Sequence, residues 1–245
     1  MRVQPKRFDA RKYDLVIFDW DGTLMDSIGK IIVCIENMAR VLTLPIPTES
    51  DIRDIIGLSM TEALRVLFPQ GLNPCAASVY SLRPHPKNAF SQGEEDEYLQ
   101  MRAEFKAQYL HLDTTPTPLF AQAPVLIDDL HNQGYQLAVA TGKARAGLER
   151  VFEQTGLGRY FVASRCADEV HSKPHPEMIS SLLSELNVAP NRALMVGDSL
   201  LDLTMAANAG IDSVGVTYGA HSAEKLLRAK PIALIDSPAQ LLQYL

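Results

Sequence analysis

From residue 118 to the C-terminus, short apolar runs alternate with stretches of helical periodicity. Strands are expected near 136–140, 160–164, 193–196, 213–217 and 232–235. Helices are expected near 121–133, 144–155, 176–186 and 200–209, with one more at the C-terminal end. Such alternation makes βαβ units, whose crossovers lay helices on both faces of a parallel sheet. An earlier run, Tyr13 to Asp19, is as short, apolar and β-rich as the later ones. Alone it has nowhere to pair, so it must join the same sheet. The expected fold is therefore α/β, a doubly wound parallel sheet.

Residues 25–117 carry a different pattern. Ile28, Ile31, Ile32, Ile35, Met38, Ala39 and Leu42 fall on one face at the helical period, and Pro45 and Pro47 end that helix. Thr48 is placed to cap a short helix that stops at Gly57. Ser59 with Glu62 reads as a capping box for a helix from Met60 to Phe68. Residues 69–93 keep no period and are rich in turn formers, which predicts a long loop. Glu94-Glu95-Asp96-Glu97 then puts acids where a helix dipole favours them, opening a helix to about Leu110. Thr114-Thr-Pro-Thr-Pro118 reads as a linker. The expected division is a core of residues 1–24 and 118–245, with 25–117 as a helical insertion between the first strand and the rest.

Two aspartates, Asp19 and Asp21, end the first strand. Two like charges so close need an offsetting cation or a reaction that uses both. In doubly wound sheets ligands bind outside the carboxyl ends of the strands. That edge is where the topology would gather Asp19-Trp-Asp21, Thr141-Gly142-Lys143, Lys173, and Asp198-Ser199 with Asp202. Asp19 and Asp198 can share a hard cation, for which oxygen ligands suit Mg²⁺. Lys173, the Thr23 and Thr141 hydroxyls and the backbone amides around Gly22 and Gly142 can hold phosphate oxygens. With its charge offset, a carboxylate can attack phosphorus. Asp21, two residues on in extended chain, points to the same side and can move the protons. Each residue also has a plain reading. Asp-Gly-Thr can be an ordinary turn, Asp198 and Ser199 a helix cap, Lys173 a solvated charge and Asp202 a helix surface residue. What weighs against those readings is the convergence of all four groups.

Composition narrows the alternatives. The net charge of −6 argues against nucleic acid as a main partner. No stretch of about 18 apolar residues predicts a membrane span, and the charged start lacks the apolar run of a signal peptide. Cys34, Cys75 and Cys166 are scattered, which suits a reducing compartment. A cytoplasmic location is expected, and the oligomeric state is not readable. His85, His171 and His175 are read as loop residues in preference to metal ligands, and Cys166 as packing.

Asp19-Trp-Asp-Gly-Thr23, Thr141-Gly-Lys143, Ser172-Lys-Pro174 and Gly197-Asp-Ser-Leu-Leu-Asp202 resemble, in order, the four motifs of the haloacid dehalogenase-like hydrolase superfamily. The helical insertion resembles the cap of its phosphoglycolate phosphatase-like branch. The resemblance implies Asp19 as nucleophile and Asp21 as general acid/base with its carbonyl on Mg²⁺. It implies phosphate binding by Thr141 and Gly142, with Lys173 steadying nucleophile and phosphoryl group. Asp198 would ligate Mg²⁺ and Asp202 would support the metal site. Gly57, Leu58 and Met60 fall where the cap would offer a substrate-contacting loop. An aspartate in the Asp21 role, which the family's dehalogenases lack, points to phosphate chemistry. The expectation is an Mg²⁺-dependent phosphatase acting on a small phosphorylated metabolite, such as phosphoglycolate, a sugar phosphate or a nucleotide. A phosphomutase of the same superfamily is the first alternative. A non-catalytic phosphate-binding or signalling protein is the second.

Overall fold

The computed structural model describes residues 12–72 and 92–245. Six strands form one parallel sheet: β1 (Leu15–Phe18), β2 (Gln136–Thr141), β3 (Ala163–Cys166), β4 (Ala193–Gly197), β5 (Asp212–Val216) and β6 (Ala233–Ile235). Their order is β3-β2-β1-β4-β5-β6, and every pairing is parallel. The chain winds outward first from β1 to β3, then from β4 to β6. The order reverses between β1 and β4, which is where an open sheet leaves a crevice.

Both faces of the sheet are dry. Val16 and Phe18 face a cluster with Leu126, Ile127, Leu148 and Val151. Leu15 and Ile17 face the other side, with Met178, Ile179, Leu182 and Met205. Those partners come from α5 (Ala123–Asn132) and α6 (Arg145–Thr155) on one face, and from α7 (Glu177–Leu186) and α8 (Leu200–Ala209) on the other. Burial on both sides is why β1 is wholly apolar instead of alternating.

Between β1 and β2 the chain makes α1 (Ile28–Val41), α2 (Glu49–Ile55), α3 (Met60–Leu67) and α4 (Gln92–Ala107), the last running into a π turn at Gln108–Leu112. They bury their own clusters, one around Ile31, Ile35, Ile52 and Ile55 and another around Met38, Leu64, Phe68 and Met101. Thr48 closes a capping box with Asp51. Ser59 caps α3, but its backbone N–H donates to Ser172 Oγ at 2.8 Å, so the second half of that box is traded for a tie to the core.

Several expected boundaries move. β3 begins at Ala163, three residues late, because Leu157–Tyr160 tightens into a 3₁₀ turn. The final helix is a 3₁₀ segment, Pro238–Gln243, and a short helix, α9 (Ala223–Leu226), was not expected. Most of the expected 69–93 loop, residues 73–91, lies outside the described residues, with Cys75 and His85. Cys34 and Cys166 are free, buried thiols. Among the described residues no helix is long and apolar enough to cross a membrane.

Candidate active site

β1 and β4 are neighbours in register, Phe18 beside Val196. The residues just past their ends, Asp19 and Asp198, therefore emerge together. β2 ends next to them at Thr141. Lys173 arrives from the loop after β3, and Asp202 from the first turn of α8. Asp19 is 2% exposed, Asp198 and Asp202 are fully buried, and Lys173 is 1% exposed. Parallel pairing alone brings residues from three distant segments to one edge.

The Lys173 ammonium lies 2.8 Å from Asp19 Oδ1 and 2.6 Å from Asp202 Oδ1. Only the second contact has hydrogen-bond geometry, so Asp19 Oδ1 is a buried oxygen with a charge nearby but no hydrogen bond. Asp202 Oδ2 accepts from the Ser199 hydroxyl at 2.6 Å and from its N–H at 3.0 Å, closing the capping box of α8. Asp202 thus caps a helix and anchors Lys173 at once. Asp198 Oδ1 accepts from Thr23 Oγ1 at 2.9 Å, and Oδ2 from the Ala220 N–H at 2.7 Å. The Thr23 hydroxyl proton is directed at this acid. Thr141 is buried, and its Oγ1 accepts from the Lys143 N–H at 3.2 Å.

Asp21 sits apart from that cluster, on the cavity side. Its Oδ1 takes an ion pair from Lys143 at 2.9 Å and a hydrogen bond from the Ser27 hydroxyl. Trp20, between the two acids, points the other way. It is fully buried edge-on to Phe152, with ring centroids 5.3 Å apart, and so fixes the strand end from behind. Gly22 adopts φ +77°, and a Cβ there would stand 2.2 Å from Asp198 Oδ2. The Asp-Gly-Thr turn needs glycine on both counts.

The buried charges do not balance. Three buried carboxyl groups face one ammonium, which can neutralise only one of them if all ionise. Burial pushes the Asp19 carboxyl up to about 7, against the pull of Lys173 and with the push of Asp202. Burial likewise lifts Asp198 well above the usual carboxylate range, with Asp202 and Asp19 adding to it. For Lys173, burial opposes the charge, but Asp19 and Asp202 outweigh it and raise the group above its ordinary value. One oxygen from each of Asp19, Asp198 and Asp202 lies within 4.8 Å of the others. An all-oxygen set crowded around a single ammonium, with an Asp19 Oδ1 that accepts no hydrogen bond, fits a hard divalent cation.

Above this floor is a cavity of about 480 Å³, walled by the helical insertion on one side and the β2–α6 segment on the other. Gly57, Leu58 and Met60 line it, as do Asp19, Asp21, Gly142 and Lys143. The fit between insertion and core is tight at Gly142. A Cβ there would lie 2.6 Å from the Gly57 carbonyl oxygen and 2.7 Å from that of Leu58. Gly142→Ala is therefore expected to push the Gly57–Leu58 loop outward and lower kcat/KM by about 10²-fold, as a misplacement of about 1 Å can do. Steady-state kinetics beside a melting curve checks this. A fully active variant would show that the loop need not sit there.

Sequence reasoning passed over several groups here. Lys143 lies inside the Thr141-Gly-Lys143 stretch with no role that its sequence position assigns, and Ser27 stands just before the apolar helical pattern that begins at Ile28. Ser27 makes no side-chain cap bond to α1, and its hydroxyl goes to Asp21 instead. The Ala220 amide carries no side-chain signal at all. His171, His175 and Glu177 come together at the surface, where the His171 ring and N–H both address Glu177 near the start of α7.

The sequence pattern of the haloacid dehalogenase-like hydrolases matches residues 16–216. The protein named "Probable phosphatase IndB" from Dickeya dadantii is 34% identical over 91% of this chain and 89% of its own length. The phosphoglycolate phosphatase of Vibrio vulnificus strain CMCP6 is 31% identical over 93% of this chain and 94% of its own. The crystal structure titled as a predicted phosphoglycolate phosphatase from Haemophilus somnus superposes with a TM-score of 0.76 at 24% identity. It covers 96% of this chain and 99% of that one.

Proposed function

Because the chain belongs to the haloacid dehalogenase-like hydrolase family and is a phosphatase, we propose that it hydrolyses a small phosphorylated metabolite through an aspartyl-phosphate on Asp19. The observation that carries this reading is the buried Asp19–Lys173–Asp202 arrangement beside Asp198, at the reversal point of the sheet.

Asp19 is the nucleophile. A carboxylate oxygen bonds to phosphorus as the ester P–O bond breaks, and Asp21 gives its proton to the leaving oxygen. The alcohol departs. Asp21, now a carboxylate, takes a proton from water, whose oxygen attacks phosphorus. The Asp19–phosphorus bond breaks, inorganic phosphate leaves, and both acids return to their starting forms. Asp21 Oδ2 has no partner among the described residues, while Oδ1 is held by Lys143 and Ser27, so one oxygen is fixed and the other is left for the proton. Lys173 steadies the Asp19 carboxylate and a phosphoryl oxygen, and the Gly142 N–H with the Thr141 hydroxyl binds another. Thr23, expected from its sequence position to bind phosphate, spends its hydroxyl proton on Asp198 and so holds that acid in place. Asp19 and Asp198, with the Asp21 carbonyl and with Asp202 supporting the site directly or through water, would hold Mg²⁺, which when bound offsets charge on the carboxylates and phosphoryl oxygens. The helices of the insertion, α1 to α4, act as a cap that excludes bulk water, strengthening every charge interaction beneath it.

A panel of phosphorylated metabolites with and without Mg²⁺ tests the reading. Phosphate release is expected from at least one small monoester, with activity falling at least about 10²-fold in chelator and returning with Mg²⁺. Full activity in chelator removes the metal. Isomer formation without phosphate release would make the chain a mutase. A stable phosphoryl group that is never released would make it a signalling protein.

A further inference from the structure

Resting on the phosphatase reading, we propose that the cavity holds a second anion subsite at Arg150. The substrate would then be a phosphate monoester with an apolar or aromatic body and another anionic group at its far end.

Three cations surround one ring, Tyr109 of the insertion. Lys30 Nζ lies 5.1 Å, Lys143 Nζ 5.5 Å and Arg150 Cζ 5.6 Å from its centroid. Lys30 is answered by Asp113 and Lys143 by Asp21. Arg150 has no carboxylate partner among the described residues, although it lines the cavity. Arg102 and Lys106, one turn apart on α4, line the same cavity and likewise have no carboxylate partner among the described residues. Arg150 is half-buried, while Arg102 and Lys106 are exposed at the cavity's rim; like charges gathered without counter-ions repel. A ligand anion would satisfy them. A guanidinium already laid on an aromatic ring is pre-organised to receive it.

The cavity that Arg150 shares with the acids is neither small nor polar. At about 480 Å³ it is in the range that encloses ligands far larger than a two-carbon acid. Ile31, Ile55, Leu58, Leu99 and Phe105 line it. A short hydrophilic substrate would leave those walls wet, while an apolar body would bury them at about 25 cal/mol per Å². Phosphate at the floor, apolar body in the middle and anion at Arg150 uses every part of the cavity.

Four monoesters separate body from charge: ethyl phosphate, phosphoglycolate, benzyl phosphate and 4-carboxybenzyl phosphate. The last is expected to be hydrolysed with kcat/KM at least about tenfold above each of the others, a factor that one charge-assisted hydrogen bond supplies. Arg150→Met should erase most of the ratio between 4-carboxybenzyl and benzyl phosphate, mainly through KM, and Arg150→Lys should keep part of it. The wild-type comparison stands even if a variant folds poorly. Phosphoglycolate as the best of the four, or a ratio untouched in Arg150→Met, overturns the subsite. Hydrolysis of all four without preference overturns the subsite and leaves the phosphatase reading intact. Release from none of them, nor from any member of the metabolite panel, overturns both.

Discussion

Asp19→Asn is expected to lower kcat by about 10⁴-fold or more while leaving the fold intact. Losing a nucleophile forfeits the whole two-step route, and in other covalent catalysts such changes cost up to about 10⁶. The usual worry is that a buried variant fails by unfolding. Here the expected sign is the opposite. The Asp19 carboxyl titrates near 7 in the folded chain, well above an ordinary aspartate, because burial disfavours its charge. A raised carboxyl pKa means that the folded state binds the proton more tightly than the unfolded one. The stability so gained is fully present below the ordinary aspartate range and is lost as pH rises through about 7. Metal-free wild type should therefore melt lower at pH 8 than at pH 5. Asparagine cannot ionise, so the variant should melt higher than wild type at pH 8 and close to it at pH 5. Adding Mg²⁺ should narrow the gap by binding the folded wild type. Melting curves at the two pH values, with and without Mg²⁺, check the stability part, and turnover checks the chemistry. An active Asp19→Asn protein ends the covalent mechanism. Asp19→Asn leaves Lys173 paired with Asp202, whereas Lys173→Ala would be a poorer probe, since it strips the ammonium from both buried acids, and an uncompensated buried charge costs about 3–5 kcal/mol of stability.

Asp21→Asn should lose about 10²- to 10⁴-fold in kcat, the range of a single general acid/base. Its failure should also look different from that of Asp19→Asn. With p-nitrophenyl phosphate the leaving group departs without needing a proton, so the first step survives. Hydrolysis of the phosphoenzyme still needs a base. The variant should release a burst of about one equivalent of p-nitrophenolate and then stall with phosphate on Asp19. Stopped-flow absorbance shows the burst, and intact-mass analysis shows the phosphoryl group. Steady release at the wild-type rate would strip Asp21 of its proposed role. Asp21 is less buried than Asp19 and is held by Lys143 and Ser27 through one oxygen only, so asparagine can take its place without disturbing the floor.

The fold was legible because its signals are local. The apolar runs from 136 onward, the helical faces and the caps at Thr48 and Ser199 all express short-range preferences that the tertiary structure keeps. Where local signals were weak, the reading slipped. The run from Tyr160 looks like the start of a strand, yet after Gly156 in the left-handed conformation Leu157–Tyr160 forms a 3₁₀ segment and β3 begins only at Ala163. Of the site, the acids and Lys173 could be named because their residue types are costly to leave idle at strand ends. Their partners could not. Nothing in the sequence tells Ser27 to abandon its helix for Asp21, or tells the Ala220 amide to hold Asp198.

The sequence by itself determined which elements form, that the first strand must enter the later sheet, and which four segments carry reactive groups. Periodicity and residue chemistry suffice for that, because both act within a few residues. Only the tertiary structure decided how the charges are distributed among partners. It spent Asp202 on Lys173 and a helix cap, pinned Lys143 to Asp21, and set Arg150 against a Tyr109 ring brought from the insertion. Charge balance in a buried site depends on distances between segments far apart in the chain. Those distances are fixed by how insertion and core pack together, and no local pattern encodes them.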